Sequence, residues 1–456
     1  MKVSIEHDIL AHPMAMDDMK AKIYPYRYQE KIRNSWLKKR LETILPAIMK
    51  RAGIDFWVVA CNEYNEDPVL PTLVPMAMMT ARRLTILAFH LKDDGSVRRM
   101  AITRPGVGLD GYYEAMWTNP KGYNWSLAKA LMPDGTTNAS DEIVQPETQW
   151  ECLNRLIAKA DPKKVGINVS KVYAFADGLS HNLYEELYNN LSKENRAKLT
   201  SASEVCVGWL ETRSEEEMAA YDGIMQIAHA MIDEAFSSRV IIPGVTTNHD
   251  VKYYMVQKTI DLGLSPWFDY EVSIRRKGIG EITAEEVIMP GDLLHCDVGF
   301  KYLGLCTDTQ ENAYVLKSGE TDAPEYLKDA LAKVNRLQDI TVSYFKEGRT
   351  GNEVLALARK KAIEEGIDPC IYAHPIGTHG HGAGPTIGLW DMQDGVAGRG
   401  DHPIYNNTAY SLELSAGICL KEWNIRISLG AETDILFKDD QVYYLAGRQT
   451  NYHLIK

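Results

Sequence analysis

Two aspartates, Asp297 and Asp308, flank the turn of a predicted β-hairpin within residues 290–309. Short apolar runs lie on both sides of the turn, and the pattern centres it between Tyr302 and Leu303. That register places Asp297 directly opposite Asp308, with Cβ atoms roughly 5 Å apart on one face. Two carboxylates so close need a cation between them, or one must stay protonated. The pattern therefore predicts a hard divalent metal site, and the alternative is an exposed hairpin whose aspartates point into water.

A glycine-rich segment, residues 373–385, carries three of the twelve histidines of the chain: His374, His379 and His381. The glycines between them let imidazoles and backbone crowd around one point. Neutral imidazole is a common metal ligand and a proton carrier near neutral pH. A single histidine is more often structural, but three in one loop favour a functional site.

Two acids stand among apolar residues in predicted strands further downstream. Glu413 lies in the segment 409–414 and Glu432 in the segment 425–437. An acid on the inner face of a strand must be paired or must bind a metal, because burying it alone is too costly. A solvated strand face is the alternative for either acid. His295 lies two residues before Asp297 on the same predicted strand, and so shares its face.

The elements that must position these residues fall into two predicted domains. A chain of 456 residues exceeds one ordinary core, and the predicted boundary lies near Val207. Residues 1–25 are predicted to form an arm on the surface. Residues 26–207 are predicted to form an α/β domain with a mixed, partly parallel sheet, and residues 208–456 an α+β domain.

Hydrophobic periodicity and helix-capping signals predict the elements of both domains. The predicted helices of the first domain are 27–51 and 174–191, and its strands are 54–61, 84–91, 97–104 and 164–169. In the second domain, Ser214 and Glu217 form a predicted capping box that opens a long helix. Further helices are predicted at 248–262, 325–346 and 352–365.

Composition excludes several functions. The hydrophobic fraction of 45% and the charged fraction of 25% are typical of a soluble globular protein. A net charge of −12 argues against nucleic acid or an anionic membrane as the main partner. Seven cysteines without C-x-x-C spacing, and an N-terminus without an apolar signal core, predict a cytoplasmic protein with reduced thiols. A signal peptide removed before this numbering is the alternative.

The order of these residues resembles the pita-bread metallopeptidase family. The matching pattern is Asp297-x10-Asp308, then His374-x2-Gly-x3-His381, then two glutamates on strands. Aminopeptidase P, prolidase and creatinase belong to this family and also carry an N-terminal α/β domain of similar size. Methionine aminopeptidases generally lack that domain and match less well. The resemblance implies a creatinase-type N-terminal domain, a pita-bread catalytic domain and a homodimer whose N-terminal domain helps to wall an active site.

The resemblance also implies roles for individual residues. It implies two divalent metal ions, with manganese expected first and zinc, cobalt or iron as alternatives. The implied metal ligands are Asp297, Asp308, His374, Glu413 and Glu432. His381 would contact the substrate or the oxyanion of the tetrahedral intermediate, with His379 close by. The candidates for binding a substrate carboxylate are Arg275, Arg276 and Arg426.

The chain departs from the family pattern in its substrate-binding residues. The family usually has a further histidine upstream of the first aspartate, where this chain has residues 275–280 without one. It often has an acid after the second histidine, where this chain has residues 382–384, Gly-Ala-Gly. It usually has an arginine two residues before the last glutamate, and an insertion within residues 428–431 would reconcile Arg426 with that position.

The expected function is hydrolysis of Xaa-Pro bonds in short peptides, by an aminopeptidase or a dipeptidase. One alternative is an enzyme of the same fold that acts on a small non-peptide substrate, as creatinase or a lyase does. The other is an inactive binding module, like the pita-bread domains of histone chaperones. Nucleic acid and membrane are not expected as partners.

Overall fold

The structure, a computed structural model, describes residues 3–4, 16–104, 106–122 and 145–456. The chain divides into two compact units. The N-terminal unit is Tyr26–Leu210, and the C-terminal unit comprises Glu211–Lys456 together with Met1–Pro25. The predicted arm is therefore grouped with the C-terminal unit, although its residues 1–2 and 5–15 lie outside the described residues.

Helices and strands are numbered along the described chain. The helices are α1 Met16–Lys22, α2 Tyr26–Ala52, α3 Leu70–Leu73, α4 Gln149–Ala160, α5 His181–Asn190, α6 Lys193–Arg196, α7 Ser203–Glu211, α8 Glu215–Ala235, α9 Asn248–Asp261, α10 Glu325–Val342 and α11 Gly351–Glu364. The strands are β1 Val3–Ser4, β2 Phe56–Cys61, β3 Thr85–Leu91, β4 Val97–Ile102, β5 Glu114–Ala115, β6 Val165–Ile167, β7 Leu199–Ser201, β8 Ser265–Pro266, β9 Glu271–Arg276, β10 Gly280–Ile282, β11 Leu293–Val298, β12 Phe300–Tyr302, β13 Leu305–Cys306, β14 Thr309–Val315, β15 Asp368–Ile371, β16 His374–Ile376, β17 Thr408–Ser411, β18 Leu414–Leu420, β19 Ile425–Ala431, β20 Asp434–Lys438, β21 Gln441–Tyr444 and β22 His453–Ile455.

The N-terminal unit is built on a six-stranded mixed sheet in the order β5-β4-β3-β2-β6-β7. Strand β2 is buried along its whole length, pairs antiparallel with β3 and pairs parallel with β6. This confirms the predicted α/β class with a partly parallel sheet. The predicted helix 174–191 is wrong in its first half. The chain makes only a 3-10 turn at Ala174–Ala176, and α5 begins after Ser180, whose hydroxyl accepts the N–H of Leu183.

The C-terminal unit begins with the predicted capping box. The N–H of Ser214 donates to the Glu217 carboxylate at 2.7 Å, and the N–H of Glu217 donates to the Ser214 hydroxyl at 3.2 Å. Helices α10 and α11 then pack their apolar residues against one face of the three-stranded sheet β15-β18-β19. Since side chains alternate along a strand, the other face of this sheet is free to carry polar residues.

Two five-stranded sheets complete the framework of the C-terminal unit. Their orders are β10-β9-β11-β14-β22 and β1-β21-β20-β17-β16. The first brings Asp297, on β11, next to the strand that follows Asp308. The second holds His374, the first residue of β16. Among the described residues, no helix has both the length and the apolar character required to cross a membrane.

The predicted register of the central hairpin is wrong by two residues. Asp297 pairs with Gln310, and the turn lies between Tyr302 and Leu305 instead of being centred between Tyr302 and Leu303. The tight turn places Leu303 and Gly304 at φ angles of 52° and 84°. A shift of two preserves the alternation of side chains, so Asp308 remains on the Asp297 face as a diagonal neighbour.

The two downstream segments are not single strands as predicted, because each one leaves one sheet and enters another. The first pairs with β20 as far as Ser411 and with β15 and β19 from Leu414 onward. The second changes sheets between Ala431 and Asp434. Glu413 and Glu432 lie in these two short crossings, where neither is constrained by the alternation of a strand.

A buried charged cluster attaches the last strand, β22, to β14 and to helix α8. Glu311 accepts hydrogen bonds from Nδ1 of His229, at 2.6 Å, and from Nε2 of His453. Nδ1 of His453 lies 3.3 Å from the Asp233 carboxylate. Burial opposes the charge of Glu311, but the hydrogen bonds from His229 and His453 lower its pKa to about 2. Burial also opposes the charge of His453, but Asp233 and Glu311 raise its pKa to about 9.

We expect this cluster to stabilise the C-terminal unit most between about pH 4.5 and 6.5. The contribution of Glu311 is complete above its ordinary pKa of about 4.3 and is lost as the pH falls toward 2. The contribution of His453 is complete below about 6.5 and is lost as the pH rises through 9. The variant His453→Gln should therefore lower the thermal midpoint most within this window, and least above pH 9.

Thermal unfolding of the wild type and the variant across pH measures this difference. His181→Gln is the control, because His181 is an exposed histidine with one surface ion pair. A loss of stability in His453→Gln that does not vary with pH would contradict the prediction.

Candidate metal centre

Four carboxylates and one imidazole converge at the point where the sheets of the C-terminal unit meet. One group of potential ligand atoms comes from Asp308, His374 and Glu432, and a second comes from Asp297, Glu413 and Glu432. Within each group, the atoms all lie within 4.8 Å of one another. All five ligands implied by the resemblance are therefore brought together, and Glu432 belongs to both groups.

His374 presents one nitrogen to the carboxylates. Its Nε2 lies 3.5 Å from Asp308, 3.8 Å from Glu413 and 4.0 Å from Glu432. Its Nδ1 lies 3.0 Å from the carbonyl oxygen of Pro375, which can only accept a hydrogen bond, so Nδ1 carries the proton. Burial, followed by the neighbouring His381, lowers the pKa of His374 to about 4. The imidazole is thus neutral, and its Nε2 lone pair faces the carboxylates.

Burial and mutual repulsion disfavour the charged forms of the acids. The pKa of Asp297 rises to about 7 through burial and the nearby Glu271. That of Glu413 rises to about 8 through burial and Asp297. Burial, and then the other carboxylates, raises the pKa of Asp308 and of Glu432 well above the ordinary range. A cluster of this kind needs positive charge, either as protons or as a cation.

The unused polar atoms of the cluster fit divalent metal ions. Oδ1 of Asp297, Nε2 of His374 and Oε2 of Glu432 are buried and have no hydrogen-bond partner among the described residues. Buried polar atoms without a partner are costly, and metal coordination would satisfy all three. Four carboxylates and one neutral imidazole form a donor set that suits Mn²⁺, Fe²⁺, Co²⁺ or Zn²⁺.

Two uncharged side chains orient the acids, and sequence reasoning missed both. Gln310, opposite Asp297 on β14, donates its amide N–H to Glu413 at 2.6 Å. The amide oxygen of Gln310 faces Nε2 of His295 at 3.0 Å. Ser411 donates its hydroxyl to Oε1 of Glu432. Gln310 lies two residues after Asp308 on an extended strand, and this spacing is the signal that could have identified it.

The glycine-rich loop folds back so that His381 lies beside His374. The N–H of Gly382 donates to the carbonyl of Pro375 at 2.7 Å, and the two imidazole rings meet edge to face at 4.8 Å. A Cβ atom on Gly382 would lie 2.7 Å from that same carbonyl oxygen, so a glycine is required for this close approach. His381 itself is exposed and belongs to neither group of potential ligands.

Trp267 and Arg399 are further neighbours of His381. The indole of Trp267 meets the His381 ring edge to face at 5.2 Å, and it fills the space beside Gly380. Partial burial, followed by the positive charge of Arg399, lowers the pKa of His381. An apolar wall thus lies beside an imidazole at the mouth of the cluster, and the positive charge of a guanidinium group acts on that imidazole. The sequence pattern singled out neither residue.

The other predicted site residues lie around the cluster without joining it. His379 has a pKa lowered to about 4 by burial, Lys301 and Arg213. Arg275 is buried and binds Glu281 at 2.7 Å, and the charge of Arg275, after burial, helps to lower the pKa of His295 to about 3. Arg276 is held by Asp292 at 2.8 Å.

The insertion predicted near Arg426 stays a prediction, and the strand that carries Arg426 shows no local irregularity. Residues Leu414–Leu420 and Ile425–Ala431 pair without interruption, so β19 has no bulge. The position two residues before Glu432 is Gly430, and a Cβ atom there would lie 2.8 Å from Gln310 and 3.2 Å from His295. Arg426 lies four residues away from Gly430 along the strand, or about 13 Å.

Comparison with known proteins is consistent with this fold. Residues 220–436 match the family model described as Metallopeptidase family M24. An X-Pro aminopeptidase from Thermotoga maritima is similar in structure, with a TM-score of 0.57 and 17% identity over 89% of this chain and 99% of that one. An Xaa-Pro dipeptidase from Bacillus anthracis has a TM-score of 0.56 and 17% identity, covering 92% of this chain and 99% of its own. A prolidase from Pyrococcus horikoshii has a TM-score of 0.53 and 16% identity, covering 90% and 99%.

No curated protein sequence matches the chain. The family match over residues 220–436 and the shared fold nevertheless agree, and both indicate the pita-bread fold. The fold and the resemblance that the sequence predicted are thereby confirmed. At these low identities the solved structures show the fold alone, and the substrate has to be argued from the site.

Proposed function

We propose that this protein is a dinuclear metal-dependent peptidase that cleaves Xaa-Pro bonds in short peptides. The observation that carries the proposal is the pair of potential ligand groups that share Glu432. Two cations held there would lower the pKa of a bound water and polarise the scissile carbonyl. Asp308 and His374 would hold one ion, Asp297 and Glu413 the other, and Glu432 both. Mn²⁺ is the first candidate for these ions.

The residues around the cluster support a proline-containing substrate. The indole of Trp267 offers an apolar face on which a prolyl ring can pack. His381 lies beside both this indole and His374, and a neutral imidazole can donate a hydrogen bond to the developing oxyanion. The exposed guanidinium of Arg399 near His381 is suited to the terminal carboxylate of a dipeptide.

A small non-peptide substrate is the second candidate, and one observation favours it. The segment where the family usually has a further histidine forms the β9–β10 hairpin, in which Arg276 pairs with Gly280 and no imidazole is present. Arg275 and Arg276 on this hairpin are already bound to acids. The substrate shell therefore differs from the usual peptidase pattern, although the potential metal ligands are complete.

Elemental analysis of the purified protein, combined with hydrolysis assays, tests the proposal. We expect two equivalents of divalent metal per chain and hydrolysis of Ala-Pro or of Ala-Pro-Ala after metal loading. A protein that binds two metals but cleaves creatine and none of the Xaa-Pro peptides would support the second candidate. A protein that binds no metal would rule out both.

A homodimer and a cytoplasmic location, which the resemblance and composition imply, stay predictions that light scattering and cell fractionation would test.

A further inference from the structure

One face of the sheet β15-β18-β19 leads away from the metal cluster. The side chains of Leu414, Ala416 and Ile418 point into the core, so the alternate residues of β18 lie on the opposite face. Ser415 and Gly417 belong to this second set, and Glu413 lies just before β18, where its carbonyl accepts the N–H of Tyr372. Ser415 and Gly417 are small, and the side chain of Tyr372 lies beside Ser415, with which it forms a hydrogen bond.

A cavity of about 420 Å³ lies on this face. Its polar lining includes Asp368, Cys370, Ser415, Arg426 and Ser428. Cys370 and Ser415 are direct strand partners, and the next pair toward the cluster is Tyr372 with Glu413. The cavity is therefore next to the cluster along the strands, with polar groups available to an extended peptide.

An ion pair closes the far end of this groove. Arg426 on β19 and Asp368 on β15 bind each other across the central strand, directly above Gly417. A Cβ atom on Gly417 would collide with both side chains, so a glycine lets the pair lie on the sheet. Both side chains are more than half exposed, at 62% and 58%. Exposed ion pairs are weak, and Arg426 can therefore exchange Asp368 for another carboxylate or share its five N–H donors between the two.

The length of the groove sets the size of the ligand. Glu413 and Gly417 are four strand residues apart, which corresponds to about 13 Å. Three extended residues span about 10 Å, and a hydrogen bond adds about 3 Å. The carboxylate of a dipeptide would lie beside the cluster and could not reach Arg426.

We propose that this groove binds the three residues that follow the scissile bond, and that Arg426 binds their terminal carboxylate. The proposal rests on the proposed function and refines it, since it makes free tetrapeptides of the type Xaa-Pro-Yaa-Zaa a preferred substrate class. Asp368 competes with the substrate for Arg426. Removing the negative charge of Asp368 should therefore strengthen binding of the same substrates that removal of Arg426 weakens.

Kinetics of the metal-loaded full chain with Ala-Pro-Ala-Ala and with its C-terminal amide test this proposal. In the wild type we expect KM for the acid to be about fivefold lower than KM for the amide, the scale of one exposed charge-assisted contact. Arg426→Gln should bring this ratio close to one with little change in kcat. Asp368→Asn should increase the ratio. The matched control is Arg336→Gln. Arg336 lies on helix α10 and forms an exposed ion pair with Glu365, and its replacement should leave the ratio unchanged.

Calorimetric binding of Pro-Ala-Ala and its amide gives a readout that does not need hydrolysis. If the wild type cleaves Xaa-Pro peptides but does not prefer the free acid to the C-terminal amide, the groove does not bind the terminal carboxylate. The proposed function would remain intact. If no peptide is cleaved, but Pro-Ala-Ala binds better than its amide and only Arg426→Gln removes the difference, the groove is supported and the proposed function fails. Equal effects of Arg426→Gln on acid and amide would show a structural role for Arg426 and would also overturn the proposal.

Discussion

Replacing Glu432 with glutamine should prevent the binding of both metal ions and lower turnover by about 10³-fold or more. Glu432 is the one side chain in both groups of potential ligands, and a neutral amide is a much poorer partner for a divalent cation than a carboxylate. Glutamine preserves the shape of the side chain, and its amide oxygen can still accept the hydroxyl of Ser411.

The same variant should change stability in opposite directions with and without metal. In metal-free protein, Glu432 is a fully buried acid among three other carboxylates, so Glu432→Gln should raise the thermal midpoint or leave it unchanged. In the wild type, each of the two metal ions at 100 times its Kd should add about 2.7 kcal/mol of stability, whereas the variant should gain little. Thermal scans with EDTA and with Mn²⁺, together with elemental analysis, measure both effects.

Glu271→Gln is the matched control for this experiment. Glu271 lies opposite Asp297 on β9 and raises its pKa, but it belongs to neither group of potential ligands. The variant Glu271→Gln should therefore still bind metal and should still be stabilised by Mn²⁺. Two equivalents of metal in Glu432→Gln would refute the shared role of Glu432.

Alternation along strands allowed part of the site to be predicted without the correct register. Asp297 and Asp308 share a face in the predicted hairpin and also in the observed one, because an error of two residues preserves side-chain parity. The error arose at the turn. Leu303 occupies a positive φ angle of 52°, which is uncommon for a residue other than glycine, so propensity gave no reason to place the turn there.

The convergence of the glutamates could not be read from periodicity. Glu413 and Glu432 are located at the points where two chain segments change sheets, and such crossings depend on long-range pairing. Local pattern therefore predicted continuous strands, and the family resemblance supplied the two acids. Gln310 and Ser411 were missed for a related reason. A neutral polar side chain carries no charge that signals its role, and its importance comes from the acid it contacts in the fold.

His374 and His381 should respond differently to removal, although their rings touch. His374→Ala removes a potential ligand whose Nε2 lies 3.5 Å from Asp308, so we expect loss of metal from at least one site together with loss of activity. His381→Ala should keep its metal, because His381 is in neither group of potential ligands. Its turnover should fall by about 10²–10³, the scale of removing one hydrogen-bond donor to a transition state.

Metal content by elemental analysis and kcat with Ala-Pro and Ala-Pro-Ala separate the two roles. His249→Ala is the control, because His249 is a histidine on helix α9 whose contact is a backbone carbonyl at 3.3 Å. It should keep both metal and turnover. The opposite pattern, in which His381→Ala loses metal and His374→Ala retains it, would mean that the ring facing the carboxylates has been misassigned. Unchanged metal and turnover in both variants would make the loop structural, and the roles of His374 as a metal ligand and of His381 as a hydrogen-bond donor would then be wrong.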